Sequence, residues 1–462
     1  MKDNLIIFAK YFTPILVLLY TFISFKVFGV KPTQLSEIAK KKLSPNERRR
    51  REQKYEMLCK RKQHKMFSCQ YMLIYFFHCL YFTILYLDKR NLSVIFLGFF
   101  ELLFIIVAKQ VYGLVYQNMS KLLFNNMLML LDIGFIMIAR LSYDLAIKQF
   151  IIVIIGTSLC LLIPFIIDKV NAIDRFDWLY AIIGLGMLLI VLIIADERFG
   201  AKNWVEINNT TIQPSEFVKI IFVFCIASML SKAKKLSQII CISLLAAAHV
   251  IVLVLEKDLG AALLFFVTYF VMLYTARKNG LYIVLGTGLG TLAALVAYKI
   301  PQFSHVRVRV MAWQNPWDNA AGAGYQVAQS LFSIGTGGWF GLGLTKGVPY
   351  KIPVRESDFI FSVICEELGS IIGIMIILIC LSNYIMFINI AMQIRNLFYK
   401  LIAIGLSTMY IFQVLLTIGG AVKFIPSTGV TLPFVSYGGS SILSSLIIFS
   451  VIQGLYVRKA SS

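Results

Sequence analysis

Long apolar runs alternate with short polar segments along almost the whole chain. Each run is close to the length of about 20 residues that an α-helix needs to cross a hydrocarbon core of about 30 Å. Run length separates membrane spans from buried helices better than periodicity does. The pattern therefore predicts an all-α polytopic membrane protein with about thirteen spans. The predicted spans are about 11–29, 69–87, 91–113, 122–141, 149–168, 177–195, 216–232, 237–255, 259–276, 281–299, 370–391, 399–422 and 440–457.

Composition supports a membrane protein, because 59% of the 462 residues are hydrophobic and only 15% are charged. That balance is too apolar for a soluble domain of this length. The first apolar run is followed by Lys26, Lys31 and a basic stretch instead of a small-residue cleavage site. We therefore expect the first run to be a retained helix and not a cleaved signal peptide.

Basic residues predict the orientation, because short cytoplasmic loops carry an excess of Lys and Arg. The densest basic group lies in the segment 31–66, between the first two spans. If that loop is cytoplasmic, alternation places the other short basic segments on the same side. These segments are Lys232–Lys235, Arg277–Lys278, Arg395–Lys400 and Arg458–Lys459. An odd number of spans then predicts an N-terminus outside the cytoplasm and a C-terminus inside it.

The net charge of +21 is consistent with this topology and with attraction to anionic lipids of the inner leaflet. Nucleic acid is the alternative partner for the run Arg48–Arg51. Nothing near that run supplies aromatic side chains on which bases would stack, so we expect no nucleic-acid binding.

Three segments on the predicted extracytoplasmic side are more than simple turns: about 196–215, about 300–369 and about 423–439. Long connections between packed elements are uncommon unless they are functional. We therefore expect any chemistry to take place on this side of the membrane, mainly in the largest of the three segments.

Cysteine and histidine positions argue against disulfide and zinc chemistry. None of the eight cysteines falls in the middle of a predicted outer segment, and no CxxC pair is present. Of the four histidines only His305 lies clearly in such a segment. We expect no metal centre built from protein ligands.

The glycine-rich stretch Gly335–Gly347 resembles a nucleotide-binding loop only superficially. Gly347 follows Lys346 where a phosphate-binding loop of the GxxxxGK[ST] type would carry Ser or Thr. We expect close packing of backbone that re-enters the membrane region, which is tolerated where it is buried in protein or lines a cavity. Contact with a lipid-linked pyrophosphate is a separate possibility for this stretch.

Charged residues lie within or next to several spans, where they are costly unless they face a cavity or a partner. Glu216 and Lys219 are three residues apart, so they share one helix face. Buried ion pairs between helices and a site near the outer boundary are both compatible with this set. Its members are Asp132, Arg140, Lys148, Glu216, Lys219, Asp258, Asp358, Glu366 and Glu367.

Four stretches in the outer segments resemble the SEDS proteins (shape, elongation, division and sporulation), the group of RodA, FtsW and SpoVE. They occur in the family's order over about 122–457. The stretches are Trp204 with Gln213–Lys219; Arg307 and Arg309 through Trp313 with Gly324–Gln326 and Gln329–Ser330; Ile352–Phe361 with Glu366–Gly369; and Pro426–Pro433 with Ser436–Ser441.

The resemblance implies a ten-helix, GT-C-like glycosyltransferase core over 122–462 with a large extracytoplasmic loop. Residues 1–121 would be an extension of about three transmembrane helices with the basic cytoplasmic loop 31–66. The implied activity is polymerisation of lipid II into peptidoglycan glycan strands, in elongation, division or sporulation. The implied partners are a class B penicillin-binding transpeptidase and other cell-wall machinery of a bacterial cytoplasmic membrane.

Motif positions of the family assign roles to residues of this chain. The family's catalytic aspartate corresponds to Asp358. The residues expected to bind substrate or to orient carboxylates are Trp204, Glu216, Lys219, Lys148, Arg307, Arg309, Gln326, Ser436 and Ser440, and those expected to form structural ion pairs are Asp258, Glu366 and Glu367.

The implied reaction suits a single carboxylate near the outer surface. The 4-hydroxyl of one sugar attacks the anomeric carbon of another that is linked to undecaprenyl pyrophosphate, and the carboxylate acts as general base. The leaving pyrophosphate needs neutralisation of charge more than protonation, and Arg is suited to this because its planar fork binds phosphate through two hydrogen bonds. A divalent cation, Mg²⁺ or Mn²⁺, is compatible with this chemistry and would leave no fixed ligand spacing in the sequence.

The chain departs from the family pattern around the predicted base. Val354 replaces a glutamate, Glu356 a histidine and Ser357 a threonine, and Lys257 replaces the proline before Asp258. Glu356 adds a like charge two residues from Asp358, which is expected to raise the pKa of one of the two carboxyls.

Two other classes of function fit the same pattern. A flippase or transporter of lipid-linked precursors would also place polar residues in a cavity, although we find no internal repeat of the kind that transporters show. A non-catalytic scaffold of a cell-wall complex would tolerate loss of the aspartate, whereas Asp358 is present.

Overall fold

The computed structural model describes residues 2–30, 44–196, 201–207, 210–300, 304–318, 320–322 and 324–461, and it is almost entirely helical. Of the predicted basic loop, Lys40–Lys42 lie outside the described residues. The helices are α1 Lys2–Gly29, α2 Pro45–Lys89, α3 Leu92–Val115, α4 Lys121–Leu141, α5 Tyr143–Cys160, α6 Ile163–Lys169, α7 Asp177–Ile194, α8 Ser215–Lys232, α9 Leu236–Leu255, α10 Leu259–Arg277, α11 Leu281–Lys299, α12 Ser304–Gln314, α13 Tyr325–Gly337, α14 Ile360–Leu368, α15 Ser370–Gln393, α16 Leu397–Ala421 and α17 Gly439–Ser461.

All thirteen predicted spans fall on helices, so the all-α polytopic prediction is confirmed. Within the described ranges, eleven helical stretches are long and apolar enough to cross a membrane. Two predicted spans are weaker candidates: α8 carries Glu216, Lys219 and Lys232, and the apolar part of α11 covers only Leu281–Val296. The total of thirteen stays a prediction.

The predicted outer segments contain structure of their own. A short antiparallel hairpin joins β1 (Val205–Ile207) to β2 (Thr210–Ile212), with Glu206 opposite Thr211. The longest segment forms α12, α13 and α14 between α11 and α15. These pieces pack at one end of the bundle and bring the quoted motifs together.

Helix α4 is the centre of the bundle, because every residue from Leu122 to Ala139 is buried. A Cβ atom added to Gly134 would lie 2.7 Å from the carbonyl oxygen of Phe434 and 2.9 Å from that of Val435. Only glycine therefore allows the loop before α17 to rest on α4. This contact places that loop, and the residues after it, against the middle of the protein.

The first three helices pack directly on the core through buried polar groups. His78 on α2 places Nδ1 2.5 Å from the Asp132 carboxylate on α4 and Nε2 2.8 Å from the carbonyl of Gly98 on α3. Asn126 on α4 accepts hydrogen bonds from the hydroxyls of Tyr20 and Ser24 on α1, both at 3.1 Å. Asp132 thus belongs to the contact between the extension and the core. Of the two interpretations offered for the charged residues in the spans, this position fits a buried pair between helices.

We expect His78→Ala to destabilise the protein, because it leaves the buried Asp132 side chain without its hydrogen-bond partner on α2. An unsatisfied buried polar group costs about 1–3 kcal/mol. Thermal unfolding of the purified protein in detergent, followed by circular dichroism, measures the loss. Cys79→Ala is the matched control, since Cys79 is the next residue on α2 and is exposed. Equal melting temperatures for the two variants would contradict the structural role of the pair.

Candidate active site

A polar cavity of about 460 Å³ lies where the outer segments meet the ends of α5, α8, α10 and α17. Its walls come from five separate parts of the chain. The polar side chains that line it are Lys148, Trp204, Thr211, Gln213, Glu216, Asp258, Glu356, Ser357, Asp358, Thr431, Tyr437, Ser440 and Ser441. Six of the residues predicted from sequence therefore share one cavity: Lys148, Trp204, Glu216, Asp258, Asp358 and Ser440.

Asp358 lies in the cavity wall, in the turn that leads into α14. The hydroxyl of Ser357 donates a hydrogen bond to its carboxylate at 3.0 Å. Part of the side chain stays accessible, yet burial raises the pKa of Asp358 to about 6, and neighbouring Glu356 adds to the rise. The Ser357 hydrogen bond and the Arg309 charge act in the opposite direction. Asp358 is thus mostly ionised at neutral pH and remains a competent base.

The loop before α17 holds the Asp358 turn in place. The backbone N–H of Tyr437 donates to the carbonyl of Glu356 at 2.7 Å, and the Ser436 hydroxyl donates to the carbonyl of Ser357 at 2.6 Å. Ser436 is buried and does not line the described cavity. We predicted a substrate contact for Ser436, but its position suits a residue that orients the turn of Asp358.

Gly429 faces Asp358 from the opposite wall. Its φ of +76° is in the left-handed region, and an added Cβ would lie 3.7 Å from Asp358 Oδ2. A side chain here would be strained and would occupy space next to the carboxylate. The glycine therefore keeps the approach to Asp358 open.

Glu216 and Lys219 form a buried pair on α8, with 2.6 Å between Oε2 and Nζ. Lys219 Nζ also donates to Gln413 Oε1 on α16 at 2.8 Å, and the Ser444 hydroxyl on α17 donates to Glu216 at 2.5 Å. Gln413 Nε2 continues the network to the carbonyl of Thr431 at 3.0 Å. The network joins three helices below the cavity, and it leaves Lys219 buried while Glu216 reaches the cavity wall.

Asp258 caps the N-terminus of α10, accepting the Ala261 N–H at 3.0 Å. Its other oxygen accepts from Asn203 Nδ2 at 2.8 Å and from Gln213 Nε2 at 2.9 Å. These donors come from the segment around the β1–β2 hairpin, so Asp258 fixes that segment to the bundle. Hydrogen bonds from neutral donors therefore hold Asp258 in place.

The residues around the hairpin complete one side of the cavity. The backbone N–H of Gln213 donates to the Ser440 hydroxyl at 3.0 Å, which ties the hairpin to the start of α17. Trp204 and Lys148 line the same space from the hairpin side and from α5. Among the described lining residues Lys148 is the only cation, facing four carboxylates.

Besides Lys219 and Ser436, three further predicted substrate residues lie outside the cavity wall as the structure describes it: Arg307, Arg309 and Gln326. Arg309 on α12 donates from Nη1 to the carbonyl of Ser427 at 3.2 Å, and its charge lowers the pKa of Asp358. It therefore lies close to the site without lining it. Arg307 is on the same short helix, and Gln326 is in the first turn of α13.

Glu366 and Glu367 end α14 and anchor the glycine-rich stretch. Arg140 Nη2 lies 2.9 Å from Glu367, and the N–H groups of Gly347 and Val348 donate to Glu367 and Glu366 at 3.2 and 2.8 Å. Glu367 thus makes the ion pair that was expected of it. An added Cβ at Gly341 would lie 2.4 Å from the Glu367 carbonyl, so this stretch is closely packed backbone.

A metal centre made of protein ligands is not seen in the part of the chain that the structure describes, where no three His, Cys, Asp or Glu side chains group as ligands would. A divalent cation bound here would take much of its coordination from a phosphate-bearing substrate.

Two polar residues of this region were missed from sequence. Gln413 interrupts an apolar span. A polar residue at membrane depth often faces a partner or a cavity, and this feature could have identified Gln413 from the sequence. Glu256, just before Asp258, is buried and has no hydrogen-bond partner among the described residues. Burial and the nearby Asp258 carboxylate raise the pKa of Glu256 to about 8.

The sequence of residues 120–460 matches the family model of FtsW, RodA and SpoVE, described as cell cycle proteins. The chain belongs to this family. The predicted SEDS resemblance is thereby confirmed. Residues before 120, which form α1, α2 and α3, lie outside the match.

Curated relatives include the peptidoglycan glycosyltransferase RodA of Mycobacterium tuberculosis, which is 34% identical over 350 residues, covering 69% of this chain and 74% of that protein. Stage V sporulation protein E of Bacillus subtilis is 32% identical over 295 residues, covering 61% of this chain and 80% of that protein.

Solved structures show the same fold. A chain from a peptidoglycan synthase complex superimposes with a TM-score of 0.62 at 22% identity, covering 74% of this chain and 99% of its own length. The rod shape determining protein RodA of Thermus thermophilus gives a TM-score of 0.53, also at 22% identity, covering 73% of this chain and 96% of its own.

We expect Gln413→Leu to lower the melting temperature, because it leaves the Thr431 carbonyl without its donor and removes the partner that Lys219 has on α16. An unsatisfied buried polar group costs about 1–3 kcal/mol. Leu415→Ala is the control on the same helix, since Leu415 is exposed. Thermal unfolding in detergent compares the two. A Gln413→Leu protein as stable as the control would show that the network does not hold the three helices together.

Proposed function

We propose that this protein is a peptidoglycan glycosyltransferase that polymerises lipid II into glycan strands and releases undecaprenyl pyrophosphate. The observation that carries the proposal is the Asp358 carboxylate, ionised and partly accessible, in a polar cavity at the end of the helix bundle. Relatives named peptidoglycan glycosyltransferase support the substrate class.

In this mechanism Asp358 removes the proton of the 4-hydroxyl of the acceptor sugar. The hydroxyl oxygen forms a bond to the anomeric carbon of the donor sugar while the bond from that carbon to the pyrophosphate oxygen breaks. The leaving oxygen keeps the electron pair, so negative charge accumulates on the pyrophosphate. Displacement in one step inverts the anomeric centre.

The charges of the site suggest how the two substrates lie. Four carboxylates line the cavity, so the uncharged acceptor sugar fits next to Asp358 more readily than a pyrophosphate does. Lys148 lies on the α5 side of the cavity, and Arg307 and Arg309 lie behind the catalytic turn. We place the pyrophosphate of the donor towards these cations, where its charge is neutralised.

Orientation and partner extend the proposal. The basic loops support an N-terminus outside and a C-terminus in the cytoplasm, and in this orientation the cavity opens at the outer face of a bacterial cytoplasmic membrane. The similarity to a chain of a peptidoglycan synthase complex that coordinates polymerization and crosslinking supports a transpeptidase of the class B penicillin-binding type as partner. Residues 1–121 form a separate extension in this proposal, and 122–462 form the catalytic core.

We expect Asp358→Asn to abolish strand formation from purified lipid II, because an amide cannot accept the proton. Loss of a general base lowers rates by about 10²–10⁴-fold. Asp318→Asn is the control, an exposed acid in the same outer segment. Gel analysis of the glycan products, with and without a class B transpeptidase, gives the readout. Equal activity of Asp358→Asn and wild type would overturn the proposal that Asp358 is the base. If the wild-type protein were inactive under conditions that support a related polymerase, the result would favour a scaffold or a flippase.

We expect the rate to fall as pH drops through about 6, because Asp358 is active only when ionised and its pKa is about 6. Glu356 raises this pKa and Arg309 lowers it. Glu356→Gln should therefore move the acidic limb of the pH profile to lower pH, and Arg309→Gln should move it to higher pH. Initial rates at saturating lipid II across this range test the idea. Shifts in the same direction for both variants would contradict the assignment of the limb to Asp358.

A further inference from the structure

A second cavity, of about 450 Å³, lies at the end of the bundle opposite Asp358. It is lined by the turn between α15 and α16 and by the last turns of α17. Helix α17 carries Ser440 at the first cavity and Lys459 at the second, about 28 Å apart at 1.5 Å per residue. The two cavities therefore lie near opposite faces of a membrane that the helices cross.

Positive charge converges on the second cavity from two parts of the chain. Arg395 comes from the turn before α16, and Arg458 and Lys459 come from the end of α17. Among its described lining residues there is no acidic side chain. An excess of basic residues in short loops explains their number but not their convergence on one concave surface.

Arg458 is held in position by several hydrogen bonds. Its Nη1 donates to the carbonyls of Ile167 at 2.8 Å and Asp168 at 3.1 Å, and its Nη2 donates to Asn171 Oδ1 at 2.6 Å. The guanidinium also lies 4.2 Å from the centre of the Tyr399 ring. These contacts fix the orientation of the guanidinium before any ligand arrives, which reduces the entropy lost on binding.

Other features of the cavity suit a ligand that has both an anionic and an apolar part. The 25-residue helix α16 begins at this end with the positive end of its dipole, and the Asn396 side chain caps it by accepting the Phe398 N–H at 2.9 Å. Ile394 and Leu455 supply apolar lining next to the cations. A phosphodiester with acyl chains attached matches this combination.

We propose that this cavity binds the headgroup of an anionic phospholipid from the leaflet opposite the Asp358 cavity. The phosphodiester lies between Arg395, Arg458 and Lys459, and the acyl chains extend from the cavity into the bilayer. Basic pockets between transmembrane helices bind acidic lipid headgroups in this way. The lipid would join α16 to α17, the helices that carry Gln413 and Ser440 at their other ends.

The test is native mass spectrometry of the purified full-length protein with phosphatidylglycerol, compared with zwitterionic phosphatidylcholine of the same acyl chains. The variant Arg395→Gln/Lys459→Gln leaves Arg458 and its structural hydrogen bonds intact. We expect it to bind phosphatidylglycerol about thirtyfold more weakly, at about 1 kcal/mol for each charge removed. Phosphatidylcholine should bind weakly to both proteins.

Lys234→Gln/Lys278→Gln is the matched control, because it removes two exposed cations from loops on the same side of the bundle. The proposal predicts that this control binds phosphatidylglycerol like wild type. An equal loss in the control would overturn it in favour of diffuse charge attraction. Displacement of the lipid by millimolar inorganic phosphate would overturn it in favour of a free-phosphate site, and unchanged binding in Arg395→Gln/Lys459→Gln would exclude this cavity.

Discussion

The site depends on the cost of placing carboxylates at the end of an apolar bundle, because burial favours the protonated form of a carboxyl group unless nearby donors or charges compensate it. Asp258 receives three N–H donors, and Glu216 is paired with Lys219 and Ser444. Asp358 receives one side-chain hydrogen bond, from Ser357, among the described residues. The two fully compensated acids hold the walls together, whereas the least compensated one has the raised pKa and the capacity to accept a proton.

The position of Asp358 follows from backbone packing at a distance from the cavity. Gly134 lets the loop of Phe434 and Val435 rest on the buried helix α4, and the next residues, Ser436 and Tyr437, donate hydrogen bonds to the carbonyls of Ser357 and Glu356, directly before Asp358. The turn is thus fixed through main-chain contacts that leave its carboxylate free for chemistry. Rigid support of this kind is what a general base needs for a reproducible distance to its substrate.

Local features of the sequence predicted the helices well, because apolar length is a property of a single segment. The same holds for Glu216 and Lys219, whose spacing of three on one helix is enough to pair them. The Lys219–Gln413 contact joins residues 194 apart, so no local pattern could reveal it. The β1–β2 hairpin also escaped prediction, since three-residue strands are too short to show the alternation of a sheet. The family motifs predicted that Asp358 belongs to the site. They did not distinguish Ser436, which orients the turn, from residues that line the cavity.

The first three helices are connected to the site through a short chain of contacts. Asp3 pairs with Lys346 at 2.8 Å, and an added Cβ at Gly343 would lie 2.4 Å from Ile6, so the start of α1 packs against the glycine-rich stretch. That stretch donates its N–H groups at Leu342 and Gly343 to the last carbonyls of α14, at 2.8 and 2.9 Å. Asp358 lies directly before the other end of α14. Because α14 is short and buried throughout, a displacement at its C-terminal end would be transmitted to the turn that holds the carboxylate. The extension lies outside the family match, yet it supports the helix on which the position of Asp358 depends.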